Sequence, residues 1–251
     1  MSPLQVPANR PGTGDPASPL PPGQSRAEGF PRFGTSMYRP PPVVPAHPVI
    51  EVVGAVGQPI EVPVADLARL PRREVAADFH CVAGWSAVGL RWEGVAFETF
   101  YRAVIEPPLG SGAAVTHLVF VGSDGWRSLV QIEDAMAPDV LIADRLDGRP
   151  LDPDHGAPAR LVSPAQYGFV STKHLCRIEA HSGRPAWRDP TALRIGRLNV
   201  PNPFVKTHPR ARVWEEERHP VLPPWAARRL YRSLAAPIRV ALRAGMGRSE
   251  T

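Results

Sequence analysis

Cysteine is nearly absent from this chain of 251 residues, which carries only Cys81 and Cys176. Neither sits in a CxxC pair, and the eight histidines form no HExxH run; zinc sites built from closely spaced ligands are therefore not expected. A disulfide framework is excluded by the same scarcity, and the two thiols are expected to be reduced. No stretch approaches the length of apolar run that a membrane-spanning helix needs. The first thirty residues hold no apolar run of seven and no twin-arginine pair ahead of one. No secretory leader is predicted on that ground, and a cytoplasmic location is expected. Sequence signatures for haem, flavin or iron–sulfur attachment are missing too.

Proline is abundant instead: of 32 prolines, 13 fall in residues 1–48. A stretch so rich in Pro, Gly and Ser supports no regular ladder and buries little apolar surface. Residues 1–44 therefore read as a flexible or surface-wrapping arm, with Phe30, Phe33 and Tyr38 as its anchors. A compact domain is predicted over residues 45–182, and a C-terminal extension over residues 183–251. The net charge of +5 raises the question of nucleic acid. There is no interleaved aromatic–basic motif and no recognition helix, so no nucleic-acid partner is expected. Much of the excess is arginine near the C-terminus. Over residues 224–244, Leu230, Leu234, Ile238 and Leu242 recur every four positions, while Arg228, Arg232, Arg239 and Arg243 take the other side. Pro237 divides this basic amphipathic helix in two. It packs on the domain or offers a docking face to an acidic redox partner or an anionic membrane surface.

Between the arm and the extension the pattern is that of many short strands. Val49–Gly54 and Ile60–Val64 are predicted strands, followed by a short helix over Ala65–Leu70. Arg73–Cys81 alternates as one strand, and Phe97–Ile105 has helical spacing that stops before Pro107. Strands are predicted at Val115–Val121, Trp126–Ile132, Val140–Leu146 and Ala159–Ser163, with a short helix opening at Glu133. Asp147-Gly148 is a hairpin signal. Leu175–Ile178 is strand-like and makes Cys176 a core residue. Strands mixed with short helices give an α+β domain.

The chemistry-bearing residues lie in separated motifs. Cys81 sits in Asp78-Phe79-His80-Cys81-Val82-Ala83-Gly84-Trp85-Ser86, where an apolar run meets a Gly-Trp turn. Trp92-Glu93-Gly94-Val95, Asp124-Gly125-Trp126, Leu146-Asp147-Gly148-Arg149-Pro150-Leu151, His155-Gly156-Ala157-Pro158-Ala159-Arg160 and Tyr167-Gly168 with Ser171-Thr172-Lys173 follow in that order. Together, from about Val49 to Glu179, they resemble the molybdopterin-binding domain of the sulfite oxidase family.

The resemblance implies a β-rich mixed fold and a molybdenum–molybdopterin cofactor. It makes Cys81 the direct metal ligand and catalytic residue, a role that suits a soft thiolate. His155, Arg160 and Lys173, with backbone from Ser171 and Thr172, are implied contacts of the pterin and its phosphate; Arg160 offers a fork and Lys173 a point charge. Ser123 and Asp124 lie where the family places a polar contact. Trp85 walls the pocket or fills the core, and His80 faces the metal or turns away from it. Relatives carry an Asn or an Arg-Asn-His stretch ahead of the first strand; Arg39 stands nearest to that place here. Cys81 is followed by Val-Ala-Gly-Trp with no adjacent arginine, which favours a small S-oxide or N-oxide over sulfite. Oxygen-atom transfer on a small molecule, with electrons from a separate redox partner, is the implied function. A non-catalytic basic binding module on the same fold is the alternative.

Overall fold

The computed structural model describes residues 19–33, 40–109, 114–186, 193–195, 198–200, 209–219, 221–230 and 233. A two-residue strand, β1 (Ser25–Arg26), comes first. β2 (Val49–Gly54) and β3 (Ile60–Pro63) follow as an antiparallel pair, and a 3-10 helix over Val64–Arg69 buries Leu67. The next four strands are β4 (Arg72–Ala76), β5 (Phe79–His80), β6 (Trp85–Ala87) and β7 (Arg91–Ala96). After α1 (Phe97–Phe100) come β8 (His117–Gly122), β9 (Arg127–Gln131) and α2 (Ile132–Ala135). β10 (Leu141–Leu146), β11 (Arg149–Pro150), β12 (Arg160–Val162) and β13 (Leu175–His181) complete the part that bears the site motifs. A hairpin of β14 (Leu193–Ile195) and β15 (Leu198–Val200) lies in the C-terminal extension.

Two five-stranded sheets result. One has the order β3-β2-β13-β8-β9, with β2 parallel to β13 and every other pair antiparallel. The other runs β11-β10-β7-β4, with β12 also paired to β10. A small third sheet, β1-β6-β5, joins the N-terminal segment to the strands that flank Cys81. Their inner faces and α1 enclose a large apolar cluster that includes Ile50, Val52, Phe97, Phe100, Phe120 and Ile178. A smaller cluster holds Cys81, Trp85, Trp92, Leu141 and Val162, with Phe30, Phe33 and Phe79 packed against it. Many short strands mixed with a few short helices make the domain α+β, as its pattern predicted.

Three elements differ from their sequence pattern. Arg73–Cys81 is not one strand: β4 pairs with β7 and β5 with β6. At the break, Ala77 N donates to Leu90 O and Asp78 Oδ1 accepts from Gly89 N, so the chain passes from one sheet to another. Phe97–Ile105 begins as α1 but continues as a wider π-type turn over Tyr101–Ile105. β7, in which the sequence suggests no strand, is interior to its sheet between β10 and β4. Its Gly94 faces Ala143 so closely that a Cβ would lie 2.1 Å from Ile142 O. The hairpin at Asp147-Gly148 forms with both residues at positive φ, 50° and 76°, as a two-residue type I′ turn requires.

The arm is partly woven into the domain. β1 runs parallel to β6, and Phe30 and Phe33 pack on Trp85 with ring centroids 6.5 and 5.9 Å away. Tyr38 and Arg39 lie outside the described residues. Of the amphipathic C-terminal stretch, residues 224–230 and 233 are helical, with Trp225 68% and Leu230 43% exposed. Leu234, Ile238, Leu242, Arg232, Arg239 and Arg243 lie outside the described residues. Among the described residues, no helix is long and apolar enough to cross a membrane.

Candidate functional site

Cys81 opens the turn that joins β5 to β6. Cys81 N donates to Trp85 O (2.8 Å) and Gly84 N to Cys81 O (2.9 Å), and Gly84 takes the left-handed φ of 92° that closes the turn. The thiol is free and 8% exposed, at the edge of an aromatic wall of Phe30, Phe33, Phe79 and Trp85. Trp85 Nε1 is buried and has no hydrogen-bond partner among the described residues. Gly168 presses on this wall from the other side: a Cβ there would fall 2.1 Å from the Phe79 ring, and its N–H donates to His80 O (2.7 Å). His80 turns to Ser86, its Nδ1 2.8 Å from Ser86 Oγ, and burial pushes its pKa down to about 4.

Arg160 starts β12 and is 0% exposed. Its guanidinium donates to three carbonyls: Nε to Leu161 O (3.3 Å), Nη1 to His155 O (2.8 Å) and Nη2 to Ser171 O (2.9 Å). Its carbon lies 5.1 to 6.0 Å from the ring centres of Trp92, Phe79 and Phe30. Among the described residues no carboxylate hydrogen-bonds to it, and burial takes its pKa down to about 9, which leaves it protonated at neutral pH. His155 sits at the end of the 3-10 turn Pro153–His155 that Asp152 caps. Both of its ring nitrogens are engaged, Nδ1 by Asp152 (2.8 and 2.9 Å) and Nε2 by Phe30 O (2.8 Å), and the Phe30 ring stacks on it at 4.6 Å.

Lys173 lies beside these groups, its Nζ donating to Asp154 O (2.5 Å). Burial, then the positive charges of Arg160 and Arg32, push its ammonium down to about 7. Ser171 and Thr172 are buried with local partners: Ser171 Oγ accepts from Ser163 N (3.1 Å), and Thr172 Oγ1 is 2.6 Å from Ser128 Oγ. Their side chains thus brace the loop, and what they bring toward Arg160 is backbone. Ser123 and Asp124 are on an exposed turn tied to the same region, where Ser123 N donates to His174 O (2.9 Å). Asp124 Oδ1 accepts from Trp126 N (2.9 Å), which makes its carboxylate a turn former.

The two ends of the site differ in charge logic. Burial pushes the Cys81 thiol up to about 12, against the backbone of Ala83 and the nearby charges of Arg218 and Lys173. A bound metal cation reverses that preference, since it stabilises the thiolate. Among the described residues no three His, Cys, Asp or Glu side chains converge as a metal-binding group. At the other end, Arg160 and Lys173 form a cationic patch that an anion would relieve. A free buried thiol near the Arg160 and Lys173 charges fits a group that is a thiolate-seeking metal at one end and anionic at the other.

Several contributors are not evident in the local sequence. Arg32, paired with Asp154 (3.2 Å), adds a positive charge beside Lys173, while His174, whose Nδ1 is 2.8 Å from Ala157 O, is held toward its neutral form by burial. Gln24 and Arg218 reach the Cys81 turn from opposite ends of the chain. Only Phe30 carries a signal, as an aromatic residue in an otherwise Pro-rich arm.

Comparison with known proteins finds oxidoreductases among the relatives. The uncharacterized oxidoreductase YuiH of Bacillus subtilis is 32% identical over 131 residues, covering 52% of this chain and 63% of that protein. The protein-methionine-sulfoxide reductase catalytic subunit MsrP of Xanthomonas campestris is 35% identical over 142 residues, covering 52% of this chain and 44% of that protein. The chain therefore spans less than two thirds of the length of these curated relatives. The crystal structure of the sulfane dehydrogenase SoxCD from Paracoccus pantotrophus aligns at 22% identity with a TM-score of 0.46, covering 54% of this chain and 38% of that one. The model of the oxidoreductase molybdopterin binding domain matches residues 39–186, more than half of the sequence, and the chain belongs to that family.

Proposed function

We propose that this chain is a molybdopterin-dependent oxidoreductase that transfers an oxygen atom to or from a small substrate, with Cys81 as the metal ligand. The observation that carries this reading is the free Cys81 thiol at an aromatic-walled turn, near a buried Arg160 guanidinium that among the described residues hydrogen-bonds to backbone carbonyls and to no carboxylate. A bound molybdenum–pterin group supplies two-electron chemistry coupled to oxygen-atom transfer. Cys81 gives the metal a soft anionic donor. Arg160 and Lys173 neutralise the anionic end of the group, with the backbone of Ser171 and Thr172 holding the loop around them. Phe30, Phe79 and Trp85 keep water from the turn.

An S-oxide or N-oxide is favoured over sulfite as substrate. The arginine that reaches the Cys81 turn, Arg218, lies on the Glu216 carboxylate, so the pair offers little net charge to an oxyanion. The Xanthomonas relative is named a methionine-sulfoxide reductase, which supports the same class. It is also named a catalytic subunit, which supports electron delivery by a separate redox partner.

Molybdenum content, measured by elemental mass spectrometry on protein from a cofactor-competent host, tests the reading. Near-stoichiometric metal is expected, with Cys81→Ser losing dye-coupled S-oxide reduction and changing the metal spectrum. Well-folded wild-type protein without molybdenum would replace this reading with a non-catalytic binding module.

A further inference from the structure

The turn that carries Cys81 is finished by two segments outside the matched residues 39–186. From the N-terminal side, Gln24 Nε2 donates to Cys81 O (3.2 Å), and the N–H and hydroxyl of Ser25 donate to Gly84 O (2.9 and 3.2 Å). From the C-terminal side, Arg218 Nη1 donates to Val82 O (3.2 Å) and Nη2 to Pro22 O (3.5 Å). One guanidinium therefore bridges the Cys81 turn and the arm. Behind it, Glu216 Oε1 accepts from Arg218 Nε (2.5 Å) and from the Tyr167 hydroxyl (3.0 Å), and Oε2 accepts from Nη2 (3.2 Å). The Arg218 guanidinium also lies 5.1 Å over the Tyr167 ring. Arg218, Glu216 and Tyr167 are 1%, 2% and 0% exposed.

The turn itself has little to hold it. Between Cys81 and Trp85 it contains two backbone hydrogen bonds, and Val82 O points to a donor from far away in the chain. A planar fork fixes two carbonyls at once, which a point charge does not. Buried ion pairs contribute little net stability over apolar packing, and their best-attested use is to fix one arrangement among several. The strap that supplies this pair is itself constrained: Ala211 and Glu216 both take left-handed φ, 54° and 60°, a conformation that costs ~1–3 kcal/mol and persists where the surroundings impose it. Tyr167 N donates to Ala211 O (2.9 Å), which anchors the strap to the loop that also carries Gly168.

We propose that Arg218, aligned by Glu216 and Tyr167, is a positioning residue for Cys81, bracing Val82 against Pro22 so that the thiol meets the metal in one geometry. This rests on Cys81 being the metal ligand. The test uses the full chain with Arg218→Gln, Arg218→Lys and Tyr167→Phe. In cofactor-free protein, amide hydrogen exchange is read over residues 79–90, with residues 117–131 as internal control. Arg218→Gln should speed exchange in the first stretch at least about tenfold, as loss of a buried charged donor implies, and leave the second unchanged. In loaded protein, the electron paramagnetic resonance spectrum of the one-electron-reduced metal should shift in Arg218→Gln, and Arg218→Lys should fail to restore it. A folded Arg218→Gln protein with unchanged exchange and unchanged spectrum would overturn the proposal. If Arg218→Gln does not fold, Tyr167→Phe decides: it removes only the hydroxyl, and exchange over 79–90 must rise, or the proposal fails. The exchange result needs no metal, so failure of the Cys81 assignment would show separately, as wild-type protein that binds no molybdenum.

Discussion

Arg160 and Arg218 are withdrawn from solvent to the same degree, at 0% and 1% exposure, yet Arg218 lies on a carboxylate and Arg160 on backbone carbonyls and ring faces. The Arg218 region is internally neutral and closes on itself through Glu216 and Tyr167. The Arg160 region gathers Arg160, Lys173 and Arg32, with Asp154 and Asp124 as the acidic groups near Lys173. A fold gains nothing from burying a cation without its anion, because desolvation costs more than carbonyl contacts return. The difference teaches that the Arg218 charge is balanced within the fold by Glu216, whereas that of Arg160 is met by carbonyls and rings, which under the proposed function leaves it for the anionic end of the cofactor.

That contrast can be broken by mutation. Glu216→Ala strands the Arg218 charge in the core and should cost ~3–5 kcal/mol, the loss seen when one partner of a buried pair is removed. Urea unfolding of cofactor-free protein checks this, and a loss below ~1 kcal/mol would mean that the pair is not a closed unit.

Arg160→Met should have the reverse profile. Cofactor retention should fall by ~1.5–3 kcal/mol, on the order of 10- to 100-fold, for loss of a charge-assisted contact. The cofactor-free protein should change stability by no more than ~1–2 kcal/mol, since three carbonyls lose a donor while a buried charge leaves the core. Equilibrium dialysis of the cofactor and parallel unfolding curves separate the two effects.

A smaller effect is tied to pH. Lys173, ordinarily near 10.5, is pushed down to about 7 in the folded protein. Between those values the unfolded chain binds a proton that the folded site does not, so stability of the cofactor-free protein should rise with pH through that window and level off below about 7. Lys173→Met should flatten the rise, and so should a bound anion that keeps the ammonium charged. Unfolding at about pH 7 and about pH 9 measures it. The smallest effect belongs to Arg102, which pairs with Glu98 on the surface of α1. Arg102→Gln should leave the melting temperature within error, as exposed helix pairs generally do.

Much of the strand content was legible because half-buried strands alternate, as Ile50 and Val52 do on the inner face of β2. β7 was not legible: Arg91-Trp92-Glu93-Gly94 mixes charge, bulk and glycine, and its place in the sheet rests on Gly94 fitting against Ile142, a long-range contact. The break after Ala76 was hidden for a similar reason, since the partners that divide it, Gly89 and Leu90, come later in the chain.

The candidate site divides along the same line. The sequence by itself determined the residue types with the needed chemistry: a lone cysteine before a Gly-Trp turn, and an arginine and a lysine at spacings shared with a known family. Tertiary structure alone decided their surroundings. It turned the Ser171 and Thr172 side chains to Ser163 and Ser128, engaged both His155 nitrogens, and brought Phe30 and Arg218 to the site from either end of the chain. The physical reason is that thiol, guanidinium and ammonium chemistry belongs to the side chain, whereas burial and partnership are set by residues that meet only when the chain has closed around them.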